Sequence, residues 1–210
     1  MDRCVIFCAG GFDRLIAPME KDDFVIAADG GYAHTQALGI SPNAVLGDFD
    51  SLGYTPKNAV VFPVEKDDTD AILAVRHGLS LGYKEFLIYG ALDGPRLDHT
   101  LAALQTLLFL ADHDARGTLV GLTQNATVLK DETAVFPKEA TGILSLFAMG
   151  APARGVTLEG LHYSLTDGEL SPNFPLGVSN HFTGNEANIT VKSGTLVMLW
   201  DRQNGLPKIK

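Results

Sequence analysis

Basic charge and cysteine are scarce in this 210-residue chain: 16 Lys and Arg face 25 Asp and Glu, for a formal net charge of −9, and there are two cysteines. The acidic balance argues against broad nucleic-acid binding, which needs a basic face to neutralise phosphates. Cys4 and Cys8 share one apolar run. On a strand rising ~3.3 Å per residue their Cα atoms stand roughly 13 Å apart, too far for a disulfide. They read as core residues of a reduced compartment. No apolar stretch approaches the ~20 residues of a membrane span, and the first apolar run is too short for a signal peptide. A cytoplasmic protein with no membrane partner is expected. Missing too are Gly-x-x-x-x-Gly-Lys-Ser/Thr, Gly-x-Gly-x-x-Gly, any Cys/His zinc spacing and any nucleophile elbow, which excludes a P-loop or a standard dinucleotide binder. The Asn-x-Thr matches at Asn125 and Asn188 carry no inference.

Hydrophobic residues make up 46% of the chain, a globular fraction. Up to about residue 125, short apolar runs (Val5–Ala9, Phe24–Ala28, Ala44–Leu46, Val60–Val64, Phe86–Tyr89, Leu119–Leu122) alternate with helical patterns. Continuous runs of this kind predict strands buried on both faces, hence a mostly parallel sheet. Residues 70–81 place Ile72, Val75 and Leu79 on one helical stripe that Gly82 ends. Residues 97–111 are apolar on nearly every side, the pattern of a helix in the core or at a subunit interface. From residue 126 onward, short strand candidates (Thr127–Lys130, Ala134–Phe136, Ile143–Ala148, Gly155–Leu158, Ala187–Val191, Thr195–Leu199) follow one another with no convincing helix, as in a β-sandwich or barrel. Two domains are expected: α/β over 1–125 and all-β over 126–210.

Acidic clusters sit where the early strands should end: Asp29-Gly-Gly, Gly47-Asp-Phe-Asp-Ser51, Lys66-Asp-Asp-Thr-Asp70 and Arg96-Leu-Asp-His99. Open α/β sheets collect ligands at the carboxyl ends of their strands, and converging carboxylates want a hard cation such as Mg²⁺, held together with substrate phosphates. If the backbone stays extended, Asp48 and Asp50 point the same way and can share one cation; the alternative is a polar turn. Asp68 or Thr69 suits a helix N-cap and Asp70 the helix dipole. Three acids and a lysine exceed what a cap needs, so Asp70, Asp67 and Lys66 are candidates for metal or phosphate work. Arg96 offers a planar fork to a phosphate, while Asp98 and His99 are either site residues or caps. Gly30 and Gly31 allow close backbone approach to a nucleotide. In the β half, Ser179, Asn180 and Phe182 could hydrogen-bond to and stack on a flat heterocycle, or form a turn beside a core Phe.

Taken together and in order, Asp29-Gly-Gly-Tyr32, Gly47-Asp-Phe-Asp-Ser-Leu52, Lys66-Asp-Asp-Thr-Asp70, Gly90-Ala-Leu92, Arg96-Leu-Asp-His-Thr-Leu101, Gly160-Leu-His-Tyr163 and Gly177-Val-Ser-Asn180 resemble the thiamine pyrophosphokinase family. The resemblance implies an α/β nucleotide domain followed by a β-sandwich. The implied activity transfers the pyrophosphoryl group of ATP to the hydroxyl of thiamine, giving thiamine diphosphate and AMP. It also implies a homodimer whose site lies between the α/β half of one subunit and the β half of the other. Carried over by residue, it assigns Mg²⁺ and pyrophosphate to Asp48, Asp50 and Asp70, with Asp98 and Arg96 nearby. ATP and its phosphates fall to Asp29, Gly30, Gly31, Lys66, Asp67, Thr69, Arg96 and His99, and thiamine to Ser179, Asn180 and Phe182. Asp50 or Asp98 would orient or deprotonate the hydroxyl. Where the family reads Gly-Gly-Arg, this chain carries Asp93-Gly94-Pro95-Arg96, and Pro95 lacks an amide donor. The rival expectations are a phosphohydrolase using an Asp-x-Asp site and a non-catalytic nucleotide or vitamin sensor.

Overall fold

The structure, a computed structural model, describes residues 3–49, 52–63 and 68–210. The chain divides into two compact units, Met1–Leu122 and Thr123–Lys210. In the first, strands β1 (Arg3–Phe7), β2 (Phe24–Ala28), β3 (Ala44–Gly47), β4 (Val60–Val61), β5 (Glu85–Tyr89) and β6 (Arg116–Val120) alternate with helices α1 (Gly31–Ala37), α2 (Asp70–Ser80) and α3 (Leu97–Asp112). The strands lie in the order β6-β5-β1-β2-β3-β4, and every neighbouring pair is parallel. The chain works outward from β1 to β4, then returns to lay β5 on the other side of β1. Strand order therefore reverses at β1, and the loops after β1 and β5 diverge there.

Side-chain alternation explains how the sheet is covered. Val5 and Phe7 of β1, with Leu87 and Tyr89 of β5, face a cluster closed by Phe12, Leu15, Ile16, Met19 and Ile40. Four of these five lids come from the irregular stretch between β1 and β2, which straps that face where a helix would usually lie. Tyr89 Oη accepts from the Ile16 amide (3.2 Å), and Arg3 grips Asp23 through two bonds (2.6 and 2.8 Å), fastening the strap at its far end. The opposite face carries α2 and α3. A Cβ at Gly78 of α2 would strike Phe86 (2.6 Å) and Cys4 Sγ (2.9 Å), and one at Gly117 of β6 would strike Leu110 of α3 (2.5 Å). Glycine at these crossings lets helix and sheet close up.

Several expectations change. β4 was expected to be buried on both faces, but it is a two-residue edge strand with Val60 and Val61 57% and 58% exposed; the outermost strand has one neighbour and less cover. Val64, the end of the expected run, lies outside the described residues. Helix α3 divides its apolar surface: Ala103, Thr106, Leu107 and Leu110 are buried, while Leu97 and Leu101 are 72% and 54% exposed. Both cysteines are free and buried.

The second unit contains β7 (Gln124–Lys130), β8 (Thr133–Phe136), β9 (Ile143–Ala148), β10 (Ala153–Glu159), β11 (Leu165–Leu170), β12 (Asn180–His181), β13 (Ala187–Thr190), β14 (Thr195–Asp201) and β15 (Lys208–Ile209). They form antiparallel sheets ordered β12-β9-β14-β7 and β11-β10-β13-β8-β15. One apolar cluster draws on both, including Leu129, Phe136, Leu146, Leu158, Ile189 and Trp200. β11 escapes sequence reading because Leu-Thr-Asp-Gly-Glu-Leu has no period-2 alternation. It pairs with β10 through register shifts, which free it from the strict in-out pattern. Asn125, one of the two Asn-x-Thr matches, is fully buried, which rules out glycosylation of the folded protein there. No helix is long and apolar enough to cross a membrane among the described residues.

Candidate active site

Carboxyl ends of parallel strands stand side by side, so the residues just past each strand gather on one edge of the sheet. Asp29 follows β2, Asp48 follows β3, and Asp70 opens α2. One carboxylate oxygen from each lies within 4.8 Å of the others. Asp29 is 5% exposed with φ 48°, and its amide donates to the Leu46 carbonyl (2.8 Å). Gly47 makes room for it, since a Cβ there would come 2.9 Å from Asp29 Cα. Asp70 is aimed by the start of α2, whose N-cap Thr69 accepts from the Ile72 amide (3.3 Å).

The grouping keeps Asp48 and Asp70 of the expected metal set and adds Asp29. After Asp48 the backbone is not extended: Phe49 adopts φ 61° and buries its ring. Asp50, Lys66 and Asp67 lie outside the described residues. Asp29, one of the acidic strand ends and assigned to ATP by the resemblance, joins Asp48 and Asp70. The signal was its position after a strand, which all the acidic clusters shared. Gly31 meets an internal need: its Cβ would fall 1.9 Å from the Phe7 carbonyl oxygen. Gly30 is the N-cap of α1. Asp68 reaches Arg76 along α2 (2.6 Å).

The carboxylates line a cavity of about 620 Å³ whose other walls are Cys8–Gly10 after β1, Gly90, Ala91 and Asp93–Arg96 after β5, and His99, Thr100 and Ala103 of α3. It thus opens where strand order reverses. Burial, reinforced by the negative charge of Asp70 and Asp29, pushes the Cys8 thiol up to about 12, so it is a neutral wall. Arg96 clasps Asp98 through two bonds (2.6 and 3.2 Å), and both side chains are exposed. That hydrogen bond raises Arg96 and lowers Asp98 from their ordinary values. Arg96 and His99 line the cavity, whereas Asp98 is engaged with Arg96 and the His99 amide (3.0 Å). Neither Asp98 nor His99 caps α3, as sequence reading allowed; the N-cap is Arg96, by its backbone alone.

The remaining candidates belong to the second unit. Asn180 is buried; its Oδ1 accepts from the amides of Tyr163 and His181 (both 2.9 Å) and its Nδ2 donates to the Tyr163 carbonyl (2.8 Å). Its amide therefore holds the Gly160–Tyr163 turn. Phe182 packs edge-on against Phe136 (5.1 Å). Ser179 is exposed at φ 60°, with its amide donating to Ser145 Oγ (3.0 Å).

Carboxylates gathered beyond the strand ends of an open parallel sheet, beside a roomy cavity, are the arrangement of a phosphate-handling enzyme. The chain matches the family model for the thiamin pyrophosphokinase catalytic domain over residues 17–119 and that for its vitamin B1 binding domain over residues 133–196. It belongs to the thiamin pyrophosphokinase family and is a transferase. A search of curated proteins found no match. Among solved structures, the fold is similar to a thiamine pyrophosphokinase from Bacillus subtilis (TM-score 0.80, 24% identity, covering 95% of this chain and 98% of that one). It is also similar to thiamin pyrophosphokinases from Geobacillus thermodenitrificans (0.76, 25%, 95% and 96%) and Candida albicans (0.75, 16%, 95% and 89%).

Proposed function

We propose that the chain transfers the pyrophosphoryl group of ATP to the hydroxyl of thiamine, giving thiamine diphosphate and AMP. The observation that carries this reading is the match of both halves of the chain, in order, to the two domains of that family. The first unit, read as a Rossmann-like domain from its strand order, takes ATP. The second, read as a sandwich from its shared core, takes thiamine.

The donor set fits a hard divalent cation. One carboxylate oxygen each from Asp29, Asp48 and Asp70 lies within 4.8 Å of the others, and carboxylate oxygens are the ligands such a cation takes. These residues would hold it, with Asp50 a further ligand from its motif, and bound Mg²⁺ neutralises charge on phosphate oxygens. The protein's own groups position the reactants. Arg96 exchanges its Asp98 partner for a phosphate, Thr69 and His99 line the same cavity, and Lys66 and Asp67 are assigned to the phosphates from their motif alone. Asp98, once released, or Asp50 orients the thiamine hydroxyl for in-line attack on the β-phosphorus. Ser179 contacts thiamine, while Asn180 and Phe182 shape the wall behind it.

A cytoplasmic homodimer with the site shared between subunits completes the proposal. Reduced, buried Cys4 and Cys8 support the location, and the exposed Leu97 and Leu101 support association. The test is incubation with ATP, Mg²⁺ and thiamine, then separation of the nucleotides. Thiamine-dependent AMP is expected; ADP or free phosphate formed without thiamine would overturn the reading.

A further inference from the structure

We propose that Asp93 is a positioning residue that locks the Gly90–Arg96 wall of the cavity and so sets the affinity for the nucleotide's polyphosphate. This rests on reading the cavity as the ATP site. Residues 90–96 form a loop between β5 and α3 and would be slack if held only at its ends. Asp93 holds its middle on both sides. Its carbonyl accepts from the Gly11 amide (2.8 Å), which belongs to the loop after β1. Its carboxylate Oδ2 accepts from the Leu122 amide (2.5 Å), just beyond β6. Since β1 and β6 are the two neighbours of β5 in the sheet, one residue ties together the ends of three adjacent strands.

The surroundings are cut to fit that tie. The Gly10 amide donates to the Gly90 carbonyl (2.8 Å). A Cβ at Gly10 would lie 2.5 Å from that same oxygen and 3.0 Å from the Asp93 carbonyl, and one at Gly11 would lie 3.2 Å from the latter. Thr100 Oγ1 donates to the Leu92 carbonyl (3.3 Å), pinning the loop to α3. Pro95 fixes its own φ. A wall held in this way has lost its freedom before a ligand arrives, so less ordering entropy is lost on binding.

The tie also has an electrostatic side. Asp93 is one more carboxylate on a cavity that already gathers Asp29, Asp48 and Asp70, and its charge opposes a polyphosphate. What the cavity needs from residue 93 is an acceptor oxygen for the Leu122 amide rather than a charge. Asparagine supplies that oxygen in the same place; alanine does not.

The experiment measures ATP binding with Mg²⁺ by calorimetry on wild type, Asp93→Asn and Asp93→Ala, with steady-state constants for both substrates alongside. Asp93→Ala is expected to weaken ATP binding about tenfold, the size of a lost hydrogen bond to a charged group, raising KM for ATP while kcat and KM for thiamine move little. Asp93→Asn is expected to restore wild-type affinity or exceed it. Equal affinity in wild type and Asp93→Ala would overturn the proposal, as would equal damage from Asn and Ala, which would make the charge itself the active feature. Failure of wild type to form AMP with thiamine would overturn the functional reading instead, and the binding series stays decisive because it needs no turnover. A fall in melting temperature with unchanged affinity would mark Asp93 as merely structural.

Discussion

At the residue scale, the site depends on backbone that few side chains tolerate. Asp29 and Phe49 sit at positive φ, the first to bring its carboxylate to the cluster and the second to turn the chain after Asp48 while its ring anchors in the core. Carboxylates this close repel unless a cation lies among them. Mg²⁺ at a hundred times its Kd should therefore stabilise the wild type by about 2.7 kcal/mol, read as a rise in melting temperature. Asp48→Asn and Asp70→Asn should lose that rise and about a hundredfold in turnover; an undiminished rise in either variant would remove that residue from the metal site. Gly31 shows the opposite kind of constraint. Gly31→Ala drives a methyl into the Phe7 carbonyl, and a loss of about 3 kcal/mol in a urea titration is expected from the forced backbone shift. Sequence alone did not show this packing need, because a missing Cβ looks the same whether a nucleotide or a neighbouring strand needs the space.

At the scale of elements, the strap between β1 and β2 replaces a helix and depends on its fastening. The Asp23 side chain is almost wholly covered beside Arg3, so removing one partner strands a charge. Arg3→Ala should cost about 3 kcal/mol, measured by chemical denaturation. Burial by itself would raise the Asp23 carboxyl, but its hydrogen bonds from Arg3 and the Glu20 amide, with the charge of Arg3, outweigh that and hold it below its ordinary value. A depressed folded-state pKa means the contribution is complete above the unfolded carboxylate range, about pH 4, and is lost as the pH falls below it. The stability gap between wild type and Asp23→Asn should thus be widest near neutrality and close on acidification; a gap independent of pH would show that the charge is not what fastens the strap. None of this was legible in the sequence, where the stretch has neither period, since its Phe12, Leu15, Ile16 and Met19 are placed by an irregular path over β1 and β5.

At the scale of the molecule, both apolar surfaces and ligands should report on assembly. If α3 joins a second copy, Leu101→Lys should halve the mass seen by sedimentation without lowering the helical signal; a mass unaffected by the charge would free α3 from that role. By itself the sequence determined the succession of parallel-type strands and α-helices followed by short β-strands, the acidic ends of the early strands, and motifs specific enough to point to one family. These are local properties: apolar runs, periods and short spacings are set by neighbouring residues. Tertiary structure alone decided that Asp29 joins Asp48 and Asp70, that Asp98 turns to Arg96, and that Asn180 and Phe182 spend their groups on Tyr163 and Phe136. Each of these depends on which strand lies beside which and on how the backbone turns after it. Parallel pairing brings together residues far apart in the chain, and no local pattern records the register that makes them neighbours.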